Sequence, residues 1–406
     1  MHLDFSIPRR VRLVYFGRIG LGILRNYVTE TDVAIYENPR EHLNVWVALR
    51  MLLSRDLSEF SYYRAFLRWR KPKFVITMED NNTLFYATKL LAPQCKTFSI
   101  QNGLRTPLAH SATSGLKSEM QKLNAAGFDA DVVLTLGGLG TQFFREALPN
   151  STGKLIEIGS AINNALPLAN EAPFNSANRI VFISKFPNFG SSGISLGWKD
   201  QIRVYVGDIG LTDEEYFRVD GLVAQICAGI ATSHGLSFVV LGKRPAWQVG
   251  EYNFFSQHLR GLHWEYLPST NQSSSYEAIH SDDIIVNVDS TLGYELMARG
   301  LRVVSVAARM QACEYPNVPL LHFGYPLVSE ASGPFWTSMA TESEVRRIIE
   351  LAMTASVEEW ERLNLPIRQM LFQYDRGNSR LCAELDALGI KNSGPRLWTR
   401  ELIPRN

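Results

Sequence analysis

The run IIVNVDSTLGYELMARGLRVVSV, residues 284–306, places Asp289, Ser290 and Thr291 between two apolar segments, with Gly293 and Glu295 close behind. Read as strand, turn and helix, it predicts a helix capped by Ser290 or Thr291, with free backbone N–H groups and hydroxyls gathered at its start. Such a start is a ready phosphate site. Glu295, expected in the first turn, suits the helix dipole and could also hold a ribose hydroxyl. Ordinary capping, with Asp289 satisfied by backbone, fits the same residues equally well.

Other strand ends carry similar chemistry. In NQSSSYEAIHSDD, Ser273, Ser274 and Ser275 precede a short helix and offer a second anion or ribose contact. FVVLGKRPAW closes a strand with Lys243 and Arg244, two cations that suit a diphosphate or a carboxylate. A solvated basic turn is the commoner explanation, with Glu251 pairing Arg244. Ser184 and Lys185 end VFISK and precede a Gly/Ser-rich loop that could cover a ligand or simply connect. Nearer the N-terminus, KFVITMEDNN ends a buried strand with Glu79, Asp80, Asn81 and Asn82. Adjacent acids there fit general-base or nucleophile work; a cap by Asp80 or Asn81 on a helix near Thr83 is the plainer account. The next strand closes in Gln101, Asn102, Gly103 and Arg105.

The elements that must position these residues are short β-branched runs alternating with helical patterns, such as 213–233 and 252–260. Six strand candidates fall between 12 and 160, and five more between 179 and 307. Near-continuous apolar strands with helical crossovers imply parallel sheets covered on both faces, and ligands bind beyond the carboxyl ends of such strands. A polar stretch at 168–178 separates the two sets. The expected division is 1–175 and 176–340, with helices over 341–406 opening on a Thr341–Glu344 capping box. For 406 residues, two domains are the natural prior.

The composition narrows the function. Hydrophobic residues make 46% and charged ones 20%, which indicates a folded globular chain. A net charge of +1 argues against bulk electrostatic binding of nucleic acid. The four cysteines are Cys95, Cys227, Cys313 and Cys382; with none near another, they form no CxxC motif and suggest a reducing compartment. No signal-peptide pattern and no apolar run of membrane-spanning length occurs. The expectation is a cytoplasmic protein, with room for peripheral attachment to the inner membrane. HExxH, GxSxG, P-loop and GxGxxG patterns are missing, so no metal and no cofactor is expected.

Together, ITMEDNN, SIQNGLR, FISKF, LGKRP, SSSYE, VDSTLGYELMARG, GPFWT and YDRGN resemble a bacterial family of surface-carbohydrate biosynthesis proteins of the GT-B glycosyltransferase type, over about 70–380. The resemblance implies an α/β fold of two doubly wound Rossmann-like domains facing a cleft, with C-terminal helices crossing back to the first. A more distant likeness is to transferases of CMP-activated ulosonic acids, Kdo and sialic acid, which carry EDG, HP and S-x-x-G-x-E motifs. MEDNN is similar to the first, with Asn81 in place of Gly; KRP stands for HP, with Arg244 in place of His; DSTLGYE resembles the third. The likeness implies a metal-independent transferase moving a Kdo-like or other sugar from a nucleotide donor onto a glycan or lipid-linked glycan, as in lipopolysaccharide or capsule. Asp80, beside Glu79, would be catalytic. Ser184, Lys185, Lys243, Arg244, Ser274, Ser275, Asp289, Ser290, Thr291 and Glu295 would hold the donor. Asn81, Gln101, Asn102 and Arg105 would meet the acceptor or donor sugar. The rival expectations are a sugar-nucleotide epimerase of the same architecture and a catalytically idle module of envelope-glycan assembly.

Overall fold

A computed structural model describes residues 2–27, 29–52, 55–105, 110–169, 173–186, 202–206, 209–271, 273–308 and 332–390. The Gly/Ser-rich loop after Lys185 and Cys313 lie outside these residues. The chain divides into two compact units, Met1–Thr106 with Ser111–Ala165 and Leu371–Asn406, and Pro107–His110 with Leu166–Met370.

In the first unit the strands are β1 (His2–Asp4), β2 (Leu13–Phe16), β3 (Val33–Tyr36), β4 (His42–Asn44), β5 (Phe74–Thr77), β6 (Lys96–Ile100), β7 (Val132–Thr135) and β8 (Lys154–Glu157). Six of them form one all-parallel sheet in the order β3-β2-β5-β6-β7-β8. Alternation along each strand fills two cores. Val14 and Phe16 face the layer that contains α1 (Val45–Leu52) and α2 (Glu59–Arg70). Leu13 and Tyr15 face the other layer, where Leu381, Leu385 and Ile390 join them. The helix Ser379–Asp386 therefore completes a core begun near residue 13. α2 starts where the Ser58 hydroxyl accepts the Ser61 N–H, with Glu59 favouring the dipole. It stops at Lys71, whose φ of 47° lies in the left-handed region.

The second unit holds β9 (Arg179–Ile183), β10 (Ile202–Val206), β11 (Ile209–Thr212), β12 (Ser237–Leu241), β13 (Glu265–Leu267), β14 (Asp283–Asn287), β15 (Arg302–Val306), β16 (Ser332–Gly333) and β17 (Trp336–Thr337). Its main sheet runs β13-β12-β9-β14-β15-β17-β16, parallel except for the last pair. β10 and β11 make a separate antiparallel pair.

All eleven expected strands form, because runs such as Ile284–Val286 and Val303–Val304 are fully buried on both sheet faces. The capping box forms elsewhere than expected. The Thr341 side chain caps nothing, and Glu344 pairs with Arg347 instead. The reciprocal Thr212–Glu215 arrangement opens the helix Asp213–Ser233.

Candidate functional site

Each sheet reverses its strand order at one point, and parallel sheets open a crevice there for ligands. In the first unit this point lies between β2 and β5, since β2 is followed outward by β3 and β5 leads the other way. β5 ends at Thr77, and the chain continues through Met78 to Glu79 and Asp80. Gly17, just past β2, has φ +84°, and a Cβ there would meet the Glu79 carboxylate at 2.0 Å. That close approach lets Glu79 accept the Arg18 N–H at 3.3 Å. Arg18 in turn grips Glu37 through two guanidinium nitrogens, one at 2.7 Å.

Asp80 is buried, at 1% exposure. Its Oδ1 accepts the Asn102 N–H at 3.1 Å, and Arg105 Nη2 lies 2.8 Å from Oδ2. Burial raises the Asp80 pKa, opposed by Arg105 and the Asn102 N–H. The cap expected of Asp80 or Asn81 belongs to Asn82, whose carbonyl accepts the Leu84 N–H at 3.3 Å. Asn81 is exposed beside Asp80. Gln101 is buried and ties neighbouring strand ends together, accepting from Leu136 N–H at 3.0 Å and donating to the Gly103 carbonyl at 2.8 Å. Its side chain shapes the loop that carries Asn102 and Arg105.

In the second unit the reversal lies between β9 and β14, with β12 adjoining β9. Ser184 and Lys185 follow β9, Lys243 and Arg244 follow β12, and Asp289, Ser290 and Thr291 follow β14. Ten sequence candidates thus gather on three adjacent strand ends and the helices behind them. Glu251, wholly buried on the helix Val249–His258, organises one side. It accepts from the Ser184 hydroxyl, from Lys243 N–H at 3.0 Å, from Arg244 N–H at 2.8 Å and from the Tyr266 hydroxyl at 2.7 Å. The expected Glu251–Arg244 pairing is therefore made through backbone, while the Arg244 guanidinium donates to the Phe186 carbonyl. Burial and Glu251 together raise the Tyr266 pKa, keeping it a neutral donor.

Asp289 organises the other side. Its carboxylate accepts from the Tyr216 hydroxyl at 3.0 Å and lies 3.4 Å from Lys185 Nζ, so side chains satisfy it where backbone was expected. Ser290 holds the N-cap position of the helix Thr291–Ala298, but its side chain makes no capping bond. Its N–H instead donates to Asn287 Oδ1 at 2.8 Å. Asn287 is fully buried, and its Nδ2 has no hydrogen-bond partner among the described residues. A Cβ on Gly293 would meet the Asn287 side chain at 2.2 Å, so the close approach this glycine permits is to Asn287. Gly293→Ala is expected to cost about 1–3 kcal/mol through overpacking, read as a lowered thermal midpoint. Glu295 sits in the second turn, beyond the expected first, and is buried, accepting from the Tyr276 hydroxyl at 2.6 Å. Tyr276 belongs to the helix Ser274–Glu277, so this bond ties the serine turn to the helix start. Ser274 closes its own turn on Asn271 and Thr270, whereas Ser275, Ser290 and Thr291 stay partly exposed. Glu251 carried a signal, its acid placed seven residues after Arg244. Tyr216, Tyr276 and Asn287 carried none, since aromatic and amide residues in apolar runs read as core.

The model of a family described as "putative O-antigen biosynthesis protein" matches residues 97–388. The chain belongs to this family. The matched span runs from β6 through the helix Ser379–Asp386, so it takes in the whole second unit and the Gln101–Arg105 loop. No curated protein matches the chain. Among solved structures, the wall teichoic acid polymerase TagF superposes with a TM-score of 0.50 at 11% identity, over 93% of this chain and 88% of that one. UDP-GlcNAc 2-epimerase from Methanocaldococcus jannaschii gives 0.49 at 11% identity over 95% and 100%. HepE from Anabaena, in complex with UDP and glucose, gives 0.47 at 11% over 93% and 100%. The O-antigen family member is an α/β protein of the GT-B type, with two Rossmann-like domains built on parallel sheets. Among its described residues no helix is long and apolar enough to cross a membrane.

Proposed function

We propose that this O-antigen family protein is a glycosyltransferase. The second unit holds the nucleotide of a sugar donor, and the first supplies Asp80 to the acceptor hydroxyl or the anomeric carbon. The observation that carries the reading is the grouping of Lys185, Lys243, Ser290 and Thr291 at and beside the switch point of one sheet, next to the buried Asn287. Cations, hydroxyls and helix N–H groups are what a departing nucleotide phosphate needs while its charge develops. The buried Asp289 and Glu251 hold that wall in place. Asp80, with its raised pKa, has the character of a base that accepts a proton from a sugar hydroxyl. A carboxylate attacking the anomeric carbon in two displacements is the other use of the same group.

Within this reading a CMP-linked ulosonic acid is the first donor to test, on the likeness of MEDNN and DSTLGYE to the corresponding motifs. The acceptor is then a growing surface glycan, free or lipid-linked. A thermal-shift series with CMP, UDP, GDP and dTDP separates the donors. A ligand at a hundred times its dissociation constant stabilises the folded state by about 2.7 kcal/mol. A CMP-selective rise is the expected result, and a UDP- or GDP-selective rise replaces the ulosonic acid while keeping the transferase. Isomerised sugar formed from donor alone, seen by NMR, would replace transfer with epimerisation.

A further inference from the structure

The first unit also carries an apolar surface made of residues other than those just described. The helix α1, VWVALRML, has one charged residue, Arg50, and no acid. Val47 faces the core, while Trp46, Leu49 and Leu52 are exposed at 40, 48 and 53%. Helices apolar on every side belong in interiors or against lipid, not in water. The N-terminal segment lies beside this one. β1 pairs in parallel with β4, which leads straight into α1, and Trp46 Nε1 donates to the Phe5 carbonyl at 2.8 Å. Phe5 and Ile7 are exposed at 68 and 67%. Two separate stretches of chain thus hold one apolar face in place.

Its border is basic. Arg9 and Arg10 follow Ile7 and are exposed. The Arg9 carbonyl accepts from Arg70 at the end of α2, and Arg50 lies over the Trp69 ring at 5.6 Å. From residue 41 to 73 there are seven Arg or Lys against three acids, Glu41, Asp56 and Glu59. Asp56 accepts from Ser58 and Ser61.

We propose that this face docks the protein on an anionic lipid surface, with Phe5, Ile7, Trp46, Leu49 and Leu52 entering the headgroup layer and Arg9, Arg10 and Arg50 meeting lipid phosphates. Apolar and aromatic side chains bordered by arginines are the composition that binds in the interface plane. Charge favours lipid over a second copy of the chain. A two-fold contact would set the same basic border against itself, whereas an anionic bilayer attracts it. The inference does not depend on the transferase reading, because it needs neither donor nor turnover.

Full-length protein sedimented with phosphatidylcholine vesicles, and with vesicles containing phosphatidylglycerol, tests it. Binding is expected to the anionic vesicles and to weaken as salt rises. Leu49→Gln with Leu52→Gln should lower the partition coefficient at least tenfold, the exposed leucines having no role in the core. Arg9→Gln with Arg10→Gln should lower it roughly 25-fold, at about fivefold per cation. Unchanged thermal midpoints in both variants confirm intact folds, and their affinity for nucleotide should match the parent. Equal sedimentation of parent and variants, or no sedimentation of the parent, overturns the proposal. A dimer seen by light scattering and dissolved by the leucine changes, without vesicle binding, overturns it in favour of a contact between copies.

Discussion

Asp80→Asn is expected to lower transfer by roughly 10²–10⁴-fold, the usual contribution of a positioned base, while leaving nucleotide binding intact. The fold should tolerate the change. Burial already raises the Asp80 pKa, so the uncharged group is not foreign to its site. Asp80→Asn keeps an acceptor for the Asn102 N–H but leaves Arg105, with only 15% of its side chain exposed, without a counter-charge, so a loss of about 1–2 kcal/mol is expected. Asp80→Ala goes further, because it removes the Asn102 acceptor as well. A cost of about 2–3 kcal/mol is expected there. The pH dependence has a definite sign. The folded pKa lies above the ordinary 3.8, so the group's contribution to stability is full below that value and is lost as pH rises through the folded pKa. Activity behaves in the opposite sense, since a base must be ionised: kcat falls as pH drops through the same raised value, and Asp80→Asn abolishes that acid limb. Full transfer in both variants would remove Asp80 from the chemistry.

Glu251→Ala should have the largest effect on stability, about 4 kcal/mol or more, measured as a shift in the urea midpoint. Four donors lose their acceptor at once: the hydroxyls of Ser184 and Tyr266 and the N–H groups of Lys243 and Arg244. Each buried donor left unpaired costs about 1–3 kcal/mol, with water recovering part of it. Glu251→Gln keeps the shape but turns an amide toward donors, so it should recover only part of the loss. Because the two N–H groups belong to the Lys243–Arg244 turn, the same variants should weaken nucleotide binding. Wild-type stability in both would mean that the turn is held by something other than this carboxylate.

The architecture was largely legible because the buried parallel strands are short apolar runs bounded by polar turns, a pattern that survives without any partner information. The pairs β1–β4, β10–β11 and β16–β17 escaped, the first and last because two- and three-residue strands have too little length to show a period. Grouping of the candidates was legible for the same reason: strand ends that alternate with helices arrive at one sheet edge, and the crossover order fixes which are neighbours. Individual roles were not. Ser184 and Gln101 read as ligand contacts, but each side chain turns to a partner inside its own unit, Glu251 and the Leu136 N–H. Glu295 read as facing a ligand, yet it meets Tyr276, which lies nineteen residues back and has no mark in the sequence. A side chain's direction depends on what packs against it from elsewhere in the chain, and no spacing rule supplies that. The terminal capping box failed for a local reason. Thr341 and Glu344 have the required spacing, but Arg347, one turn on, takes the glutamate.

The first unit draws Leu13 and Tyr15 from one end of the chain and Leu381, Leu385 and Ile390 from the other. On the ribosome the second unit can close on contiguous chain, while the first must wait with one sheet face incompletely covered until Leu381–Ile390 have emerged. A nascent chain halted short of Leu381 would carry that partly uncovered apolar face to chaperones and proteases, so loss of the segment from Leu381 onward should be as damaging as a lesion in the sheet itself.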